Sequence, residues 1–248
     1  MSKKKRITIT AGPCVEIIEY TPANSQDTPK GRAAKSRCSS EARKKKNAAM
    51  SRRNLKMRLA ANFAPGRDYF CTLTFEAGAE PRNRAACETA ASRFVRRVRD
   101  IRRRRGQLFL WVYAVEHRHG TGRWHIHFVL NAASGWRADL EELESLWELG
   151  TVQLSQLFTG KHRKTSWADL ARYLSKERPE DDPERGKVGT HTYHCSRGLT
   201  GPAVASEWVQ GSELPPLPAS AVCIEREERQ TEYSTFVYLS YELPHRAD

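Results

Sequence analysis

Two apolar runs separated by a short glycine-containing segment occupy residues 108–131, LFLWVYAVEHRHGTGRWHIHFVLN. This pattern predicts a β-hairpin, in which successive side chains of each strand point to opposite faces. His125 and His127 therefore share one face of the second strand, whereas the apolar residues between and after them point to the other face. The hairpin thus requires a sheet with a core on one side and a polar surface that carries histidines on the other.

The first run ends in Glu116. A tight turn at Gly120-Thr121 places Glu116 opposite His125 in the antiparallel register, so that Glu116 becomes a same-face neighbour of both histidines. Two imidazoles and a carboxylate on one open face suit a divalent cation such as Mn²⁺, with coordination positions left for a substrate oxygen. The same three residues also fit a simple exposed polar strand face.

Regular elements are also predicted on both sides of the hairpin. The alternating stretch Tyr69–Phe75 predicts a strand in which Thr72 and Thr74 share a face. Residues 83–105 predict an amphipathic helix with a largely solvated face of arginines, and residues 137–148 and 151–157 predict a helix and a strand.

A further helix is predicted to start at Ser166, because Ser166 and Asp169 have the spacing of a capping box. Its apolar residues recur at helical spacing from Trp167 to Leu174, and Tyr173 lies off this stripe. Lys176 follows one turn after Tyr173 on the same polar side. A tyrosine retained for packing belongs on the apolar stripe, so the pattern indicates that Tyr173 has a chemical role.

Three segments in this order resemble the motifs of the HUH endonuclease superfamily, specifically the rolling-circle replication initiator (Rep) proteins of bacterial plasmids and phages. They are Thr72-Leu73-Thr74, then Glu116 with His125-Ile126-His127, then Tyr173 with Lys176. The stretch from Ser196-Arg197 to Pro202 is similar to the segment that follows the nucleophile helix in such proteins. The chain departs from some relatives in having one tyrosine where they have two, so a second strand transfer is not explained.

The resemblance implies an α+β fold with a central antiparallel sheet of about five strands, ferredoxin-like or RRM-like, with helices packed on one face. It implies metal-dependent, site-specific nicking and rejoining of single-stranded DNA at an origin hairpin, through a 5′-phosphotyrosine on Tyr173 that leaves a 3′-OH primer. In this scheme Mn²⁺ or Mg²⁺ is held by Glu116, His125 and His127, and Lys176 adds a positive charge. Contacts with DNA are expected from Thr72, Thr74 and Arg197.

Charge is distributed unevenly along the chain. Residues 1–64 contain 16 Lys and Arg against 4 Asp and Glu, a net +12 of the formal +13, which indicates a polyanionic partner. We expect a basic leader here, with a strand only at Val15–Tyr20, disorder over most of residues 21–40 and a helix from Ser40 to Ala61. The residues of this helix expected to bind DNA are Arg43, Lys44, Lys45, Arg52 and Arg53.

The expected organisation is a leader at 1–64, an endonuclease domain at 65–205, and a linker with C-terminal strands at 206–248. Those strands, at 221–225 and 234–242, either extend the sheet or form an appendage. No phosphate-binding loop motif for an ATPase occurs, so a host helicase and a host polymerase are expected partners. Six scattered cysteines without zinc-site spacing and the lack of a long apolar run indicate reduced thiols, no membrane partner and the cytoplasm of a bacterial host.

Other functions fit parts of the same pattern. Within the same chemistry, a single-tyrosine HUH transposase or a relaxase competes with the initiator. A non-catalytic RRM-like nucleic-acid-binding module predicts DNA or RNA binding without metal-dependent nicking. A two-histidine, one-carboxylate iron oxygenase also fits the three candidate ligands, although nothing else in the chain suggests a small-molecule pocket.

Overall fold

A computed structural model describes residues 3–22, 41–118, 123–159, 165–175, 192–210, 216–230 and 235–244. The helices are α1 (Glu41–Asn62), α2 (Arg84–Arg104), α3 (Trp136–Leu146) and α4 (Trp167–Leu174). The strands are β1 (Lys4–Ala11), β2 (Cys14–Tyr20), β3 (Tyr69–Thr74), β4 (Trp111–Arg118), β5 (Arg123–Leu130), β6 (Val152–Gln156), β7 (His194–Cys195), β8 (Ala203–Val209), β9 (Val222–Gln230) and β10 (Thr235–Glu242).

The chain divides into two compact units, each with its own sheet. The first unit comprises residues 1–61 and 201–248, and its five strands lie in the order β8-β1-β2-β10-β9. The second unit comprises residues 62–200, with the strand order β6-β3-β5-β4-β7. All strand pairs are antiparallel. The predicted α+β class with a five-stranded antiparallel sheet is confirmed, and a second such sheet was not predicted.

In the second unit, alternation along the strands separates the core from the polar face. Leu73, Ile126 and Phe128 are fully buried on the face that carries α2. The ring of Phe94 from α2 packs edge-on against Phe128 with centroids 5.7 Å apart. Each such side chain contributes about 1.5–3 kcal/mol when it leaves water, so this face holds the unit together.

Helix α2 begins and continues as its sequence predicts, except at one arginine. The Asn83 side chain caps the helix by accepting a hydrogen bond from the Ala86 N–H at 2.9 Å. Arg102, which was expected on the solvated face, is instead fully buried. Its guanidinium contacts Glu142 at 3.1 Å and donates to the Asn131 carbonyl at 2.9 Å, because α3 supplies carboxylates that compensate the buried charge.

The predicted hairpin register is confirmed. Strands β4 and β5 pair with Glu116 opposite His125, and the pairing continues to Arg118 opposite Arg123. Residues 119–122, which include the predicted turn at Gly120-Thr121, lie outside the described part of the chain.

The N-terminal segment differs from the expected leader. The helix predicted at Ser40–Ala61 is present as α1, and β2 covers the predicted strand at Val15–Tyr20. The expectation of only one strand there is wrong, because Lys4–Ala11 forms β1 between β2 and β8. Its lysines obscure an alternating run of Ile and Thr that suits a pleated strand with partners on both sides. Residues 23–40, where disorder was expected, lie outside the described ranges.

The C-terminal strands join this same sheet. β10 pairs with β2 and with β9, so neither extends the sheet of the second unit. The predicted boundaries at 64 and 205 therefore separate residues that share one sheet in the first unit, while the extent of an independent endonuclease domain stays a prediction.

Helix α1 packs closely on the turn between β1 and β2. Gly12 has φ +51°, and a Cβ at this position would lie 2.3 Å from the carbonyl oxygen of Ala60. Both the positive φ and the close approach of α1 therefore require glycine.

Buried charges fasten α1 to the sheet. Glu16 has no exposed surface; it accepts hydrogen bonds from Lys56 Nζ at 2.6 Å and from the Arg53 guanidinium. Lys56 Nζ also lies 3.0 Å from the Ser240 hydroxyl. Two cations thus depend on one buried carboxylate.

We expect Glu16→Ala to lower the free energy of unfolding by about 3–5 kcal/mol, because it leaves buried cations without their counterion. Chemical denaturation monitored by circular dichroism measures the change. Glu207→Ala is the matched control: Glu207 is an exposed partner of Arg6 at 3.4 Å, and its loss is expected to cost at most about 1 kcal/mol. Equal effects of the two substitutions would contradict a structural role for the buried carboxylate.

Two expectations drawn from composition concern cysteines and membranes. Within the described ranges Cys14, Cys71, Cys87 and Cys195 are free thiols. Burial raises the pKa of Cys14 and of Cys87 to about 12, which keeps both protonated at neutral pH. None of the described helices has the length and apolarity required to cross a bilayer.

Candidate active site

The polar face of the second unit's sheet brings the predicted motifs together in two cross-strand rows. Glu116, His125 and Thr74 are directly paired in one row. In the next row, His127 is paired with Thr72 on β3 and with Ala114 on β4. The rings of the two histidines are nearly parallel, 6.2 Å apart. The period of two along each strand therefore places all three candidate metal ligands on one face, as predicted.

Helix α4 places Tyr173 over this face. The predicted capping box is present, with the Ser166 hydroxyl accepting from the Asp169 N–H at 3.0 Å. Trp167, Leu170 and Leu174 are buried on the apolar stripe, whereas Tyr173 is half-buried beside it. Its hydroxyl lies 2.9 Å from His127 Nε2 and 3.2 Å from Glu116 Oε2.

Tyr173 Oη, His127 Nε2 and Glu116 Oε2 form a triangle of polar atoms, since the last two are 2.9 Å apart. One distribution of protons satisfies all three contacts. A deprotonated Glu116 accepts from both the Tyr173 hydroxyl and the N–H at Nε2 of His127, while Nδ1 of His127 accepts from a hydroxyl. Glu116 is then the group that receives the phenol proton most directly.

The hydroxyl that faces His127 Nδ1 belongs to Thr72, at 3.1 Å. A threonine hydroxyl donates or accepts a hydrogen bond, so it supports either neutral tautomer of the imidazole. His127 is itself buried, with a side chain only 10% exposed, and this contact orients its ring. Thr72 is thus a positioning residue for His127, in addition to its predicted role with DNA.

Phe70 is a site residue that the sequence analysis missed. Its ring stacks against His127 with centroids 5.7 Å apart and meets the Tyr173 ring edge-on at 6.0 Å. It also lines a cavity of about 380 Å³ beside Tyr173, together with Leu157, Phe158 and Leu170. The signal was present, because Phe70 shares the strand face of Thr72, but an aromatic residue on a polar face was read only as part of the alternation.

The candidate metal ligands have suitable donor types for a divalent cation. Glu116 Oε2 and His127 Nε2 converge, but the Tyr173 hydroxyl bonds to both atoms, and His125 lies in the neighbouring row. Within the described ranges, no three His, Cys, Asp or Glu side chains are grouped closely enough to ligate one ion. The donor chemistry therefore fits a cation, whereas coordination requires the phenol to leave its contact with His127.

The remaining predicted site residues have different surroundings. The Thr74 hydroxyl bonds to that of Thr151, and Arg197 is exposed. Lys176 lies outside the described ranges, as do the side chains of Arg43 and Lys44. On α1, Lys45 is exposed and Arg52 is half-buried. Arg53 is bound to Glu16, and its DNA contact stays a prediction like those of the others.

Comparisons with curated proteins and with solved structures each found no match. A family model does match, over residues 68–178, just under half of the chain. The matched segment includes β3, the β4–β5 hairpin and α4, and therefore every residue of the Glu116, His127 and Tyr173 cluster. Residues 68–178 are similar to the family described as replication-associated protein, ORF2 type, and this similarity supports a replication initiator of the Rep type.

Proposed function

We propose that this chain initiates rolling-circle replication by nicking and rejoining single-stranded DNA, with Tyr173 as the nucleophile. The observation that carries the proposal is the placement of the Tyr173 hydroxyl 2.9 Å from His127 Nε2 and 3.2 Å from Glu116 Oε2. A phenol has a reference pKa of about 10 and needs a nearby acceptor to react at neutral pH. Glu116 is such an acceptor, at hydrogen-bond distance in the same cluster.

In the cleavage step, Tyr173 Oη forms a bond to the scissile phosphorus and its proton passes to Glu116. The bond from phosphorus to the 3′ oxygen breaks, and that oxygen leaves as a 3′-OH after it takes up a proton. The 5′ phosphate remains on the tyrosine. Rejoining is the reverse attack by a 3′-OH on the phosphotyrosine, which needs no nucleotide cofactor.

A divalent cation, Mn²⁺ or Mg²⁺, completes the proposed site, with Glu116, His125 and His127 as its ligands. When bound, it polarises the phosphate and neutralises charge on the non-bridging oxygens. His127 contributes by presenting Nε2 towards Tyr173, an orientation maintained by Thr72 at Nδ1 and by the stacked ring of Phe70. Lys176 is proposed to add positive charge close to the phosphate.

The cavity beside Tyr173 is proposed to receive a nucleotide next to the scissile bond. Its walls include Phe70, Leu157, Phe158 and Leu170, and apolar or aromatic walls of this kind stack on bases of any identity. Thr74 and Arg197 are proposed as further contacts to the strand or to an origin hairpin. Host helicase and polymerase are the proposed partners, since the chain has no motif for an ATPase.

The test uses the full chain and a random-sequence single-stranded DNA library labelled at either end, with Mn²⁺ and separately with EDTA. We expect the 3′ label to shift to the protein on a denaturing gel, because the downstream strand stays attached through its 5′ phosphate. The 5′ label is expected on a shortened free strand that a polymerase extends. Sequencing the captured strands identifies the nick site.

Different outcomes reject different parts of the proposal. Transfer of the 5′ label to the protein would contradict the 5′-phosphotyrosine. Binding without any adduct, with either Mn²⁺ or Mg²⁺, would favour the non-catalytic RRM-like module. An undiminished adduct in EDTA would remove the cation from the scheme.

A further inference from the structure

One cross-strand row of the first unit's sheet is composed of aromatic and basic residues. Lys5 is paired with Tyr20 on one side and with Trp208 on the other. Tyr20 is paired with Phe236, and Phe236 with Arg229. The row therefore runs Trp208, Lys5, Tyr20, Phe236, Arg229 across all five strands. Directly paired residues point to the same face, so these five side chains project together; we name them the aromatic row.

The rings of the aromatic row are accessible. Trp208 is 62% exposed, which is unusual for so large an apolar side chain, and Tyr20 and Phe236 are half-buried. No ring contact within the described ranges involves any of the three. Neighbouring strands lie about 4.8 Å apart, so Tyr20 and Phe236 are adjacent and Trp208 follows at about twice that spacing.

Charge around the row favours an anionic ligand at one end. Lys5 lies between Trp208 and Tyr20, and none of the ion pairs within the described ranges includes it. Arg229, at the other end, is paired with Glu227 on its own strand. On the same face, Arg53 from α1 lies over the ring of Tyr238, at 5.8 Å from its centroid. The cation available to a phosphate is therefore Lys5, next to the most exposed ring.

We propose that the aromatic row is a binding surface for single-stranded DNA, separate from the Tyr173 cluster. Flat rings on a sheet face, with a lysine between them, are the elements by which proteins stack unpaired bases and bind the backbone that links them. A folded protein partner offers no regular series of flat groups to such a row, and duplex DNA hides its base faces. The choice of DNA over RNA rests on the proposed function; the surface itself does not.

The experiment measures binding of fluorescein-labelled oligodeoxythymidylate to the full chain by anisotropy. All variants carry Tyr173→Phe, so that no covalent product forms and the result does not depend on cleavage. We expect Trp208→Ala to weaken binding about tenfold, as the loss of one stacked base does. Trp136→Ala is the matched control, since Trp136 is 46% exposed and lies on α3, in the other unit. Trp208→Phe, which retains a ring, is expected to restore most of the affinity.

Salt dependence separates the ring from the lysine. Loss of a stacked base leaves the slope of log K against log salt unchanged, so Trp208→Ala should have the wild-type slope. Lys5→Ala should reduce the magnitude of that slope by about 0.7, the value for one phosphate contact on a single strand. A slope change for Trp208→Ala with none for Lys5→Ala would contradict the assigned roles.

The proposal is overturned if Trp208→Ala and Trp136→Ala bind the oligonucleotide equally. It is also overturned if duplex DNA binds the row as tightly as the single strand, measured as an equal loss on Trp208→Ala. A larger loss for oligouridylate than for oligodeoxythymidylate would make RNA the ligand and reject DNA. An inactive Tyr173 would leave all of these binding results intact, so failure of the proposed nucleophile is distinguishable.

Discussion

Tyr173→Phe is expected to abolish the covalent adduct between the protein and single-stranded DNA, while binding of the same DNA continues. The substitution removes only the hydroxyl, which is the proposed nucleophile and the partner of Glu116 and His127. The ring stays, and with it the edge-on contacts to Phe70 and His127. Nothing else in the cluster replaces the lost oxygen at that position.

The adduct is measured with the 3′-labelled library on a denaturing gel, and binding is measured separately by anisotropy. Tyr193→Phe is the matched control, because Tyr193 is a half-buried tyrosine of the same unit that follows the helix of Tyr173 in sequence. We expect it to form the adduct at the wild-type level. An adduct on Tyr173→Phe that disappears on Tyr193→Phe would transfer the role of nucleophile to Tyr193.

His127→Ala is expected to reduce the rate of cleavage by about 100-fold or more, the range for losing a group that acts on a proton or charge in the reaction. The imidazole makes more of the described contacts in the cluster than any other side chain: it bonds to Tyr173, Glu116 and Thr72, and its ring stacks on Phe70. It is also a proposed metal ligand, so its removal affects both the phenol and the cation.

The measurement is the single-turnover rate of adduct formation as a function of Mn²⁺ concentration. His117→Ala is the control, since His117 is in the same hairpin but points to the opposite strand face from Glu116. We expect wild-type rates for it. Recovery of the His127→Ala rate at high Mn²⁺ would indicate a ligand role, whereas a rate that no concentration restores would indicate positioning of the phenol. Wild-type cleavage by His127→Ala would refute the assignment of this cluster.

Features that depend on short-range geometry were predictable from the residues. The register of Glu116 opposite His125 follows from the position of the turn and the period of two along a strand. The start of α4 follows from the capping box of Ser166 and Asp169. The half-exposed position of Tyr173 follows from its angle to the apolar stripe. Each of these involves residues close together in the chain, where backbone geometry leaves few alternatives.

Features that depend on partners far along the chain were not predictable in the same way. Arg102 and Arg53 are basic residues on polar helix faces, yet both are held by carboxylates from other elements. Strand β1 was read as a basic tail because its partners, β2 and β8, are separated from one another by most of the chain. Local charge indicates exposure only when no counterion arrives from elsewhere, and here it does.

The order and spacing of the residues were therefore sufficient for the sheet face that carries Glu116, His125 and His127, and for the helix that carries Tyr173. Only the tertiary structure could bring Tyr173 Oη to within 3.2 Å of Glu116 and 2.9 Å of His127, place Phe70 against both rings, and align Trp208, Lys5, Tyr20 and Phe236 in one row. The reason is that local periodicity sets which face of an element a side chain occupies. Which element that face then meets depends on long-range pairing, and this is decided by packing of the whole chain.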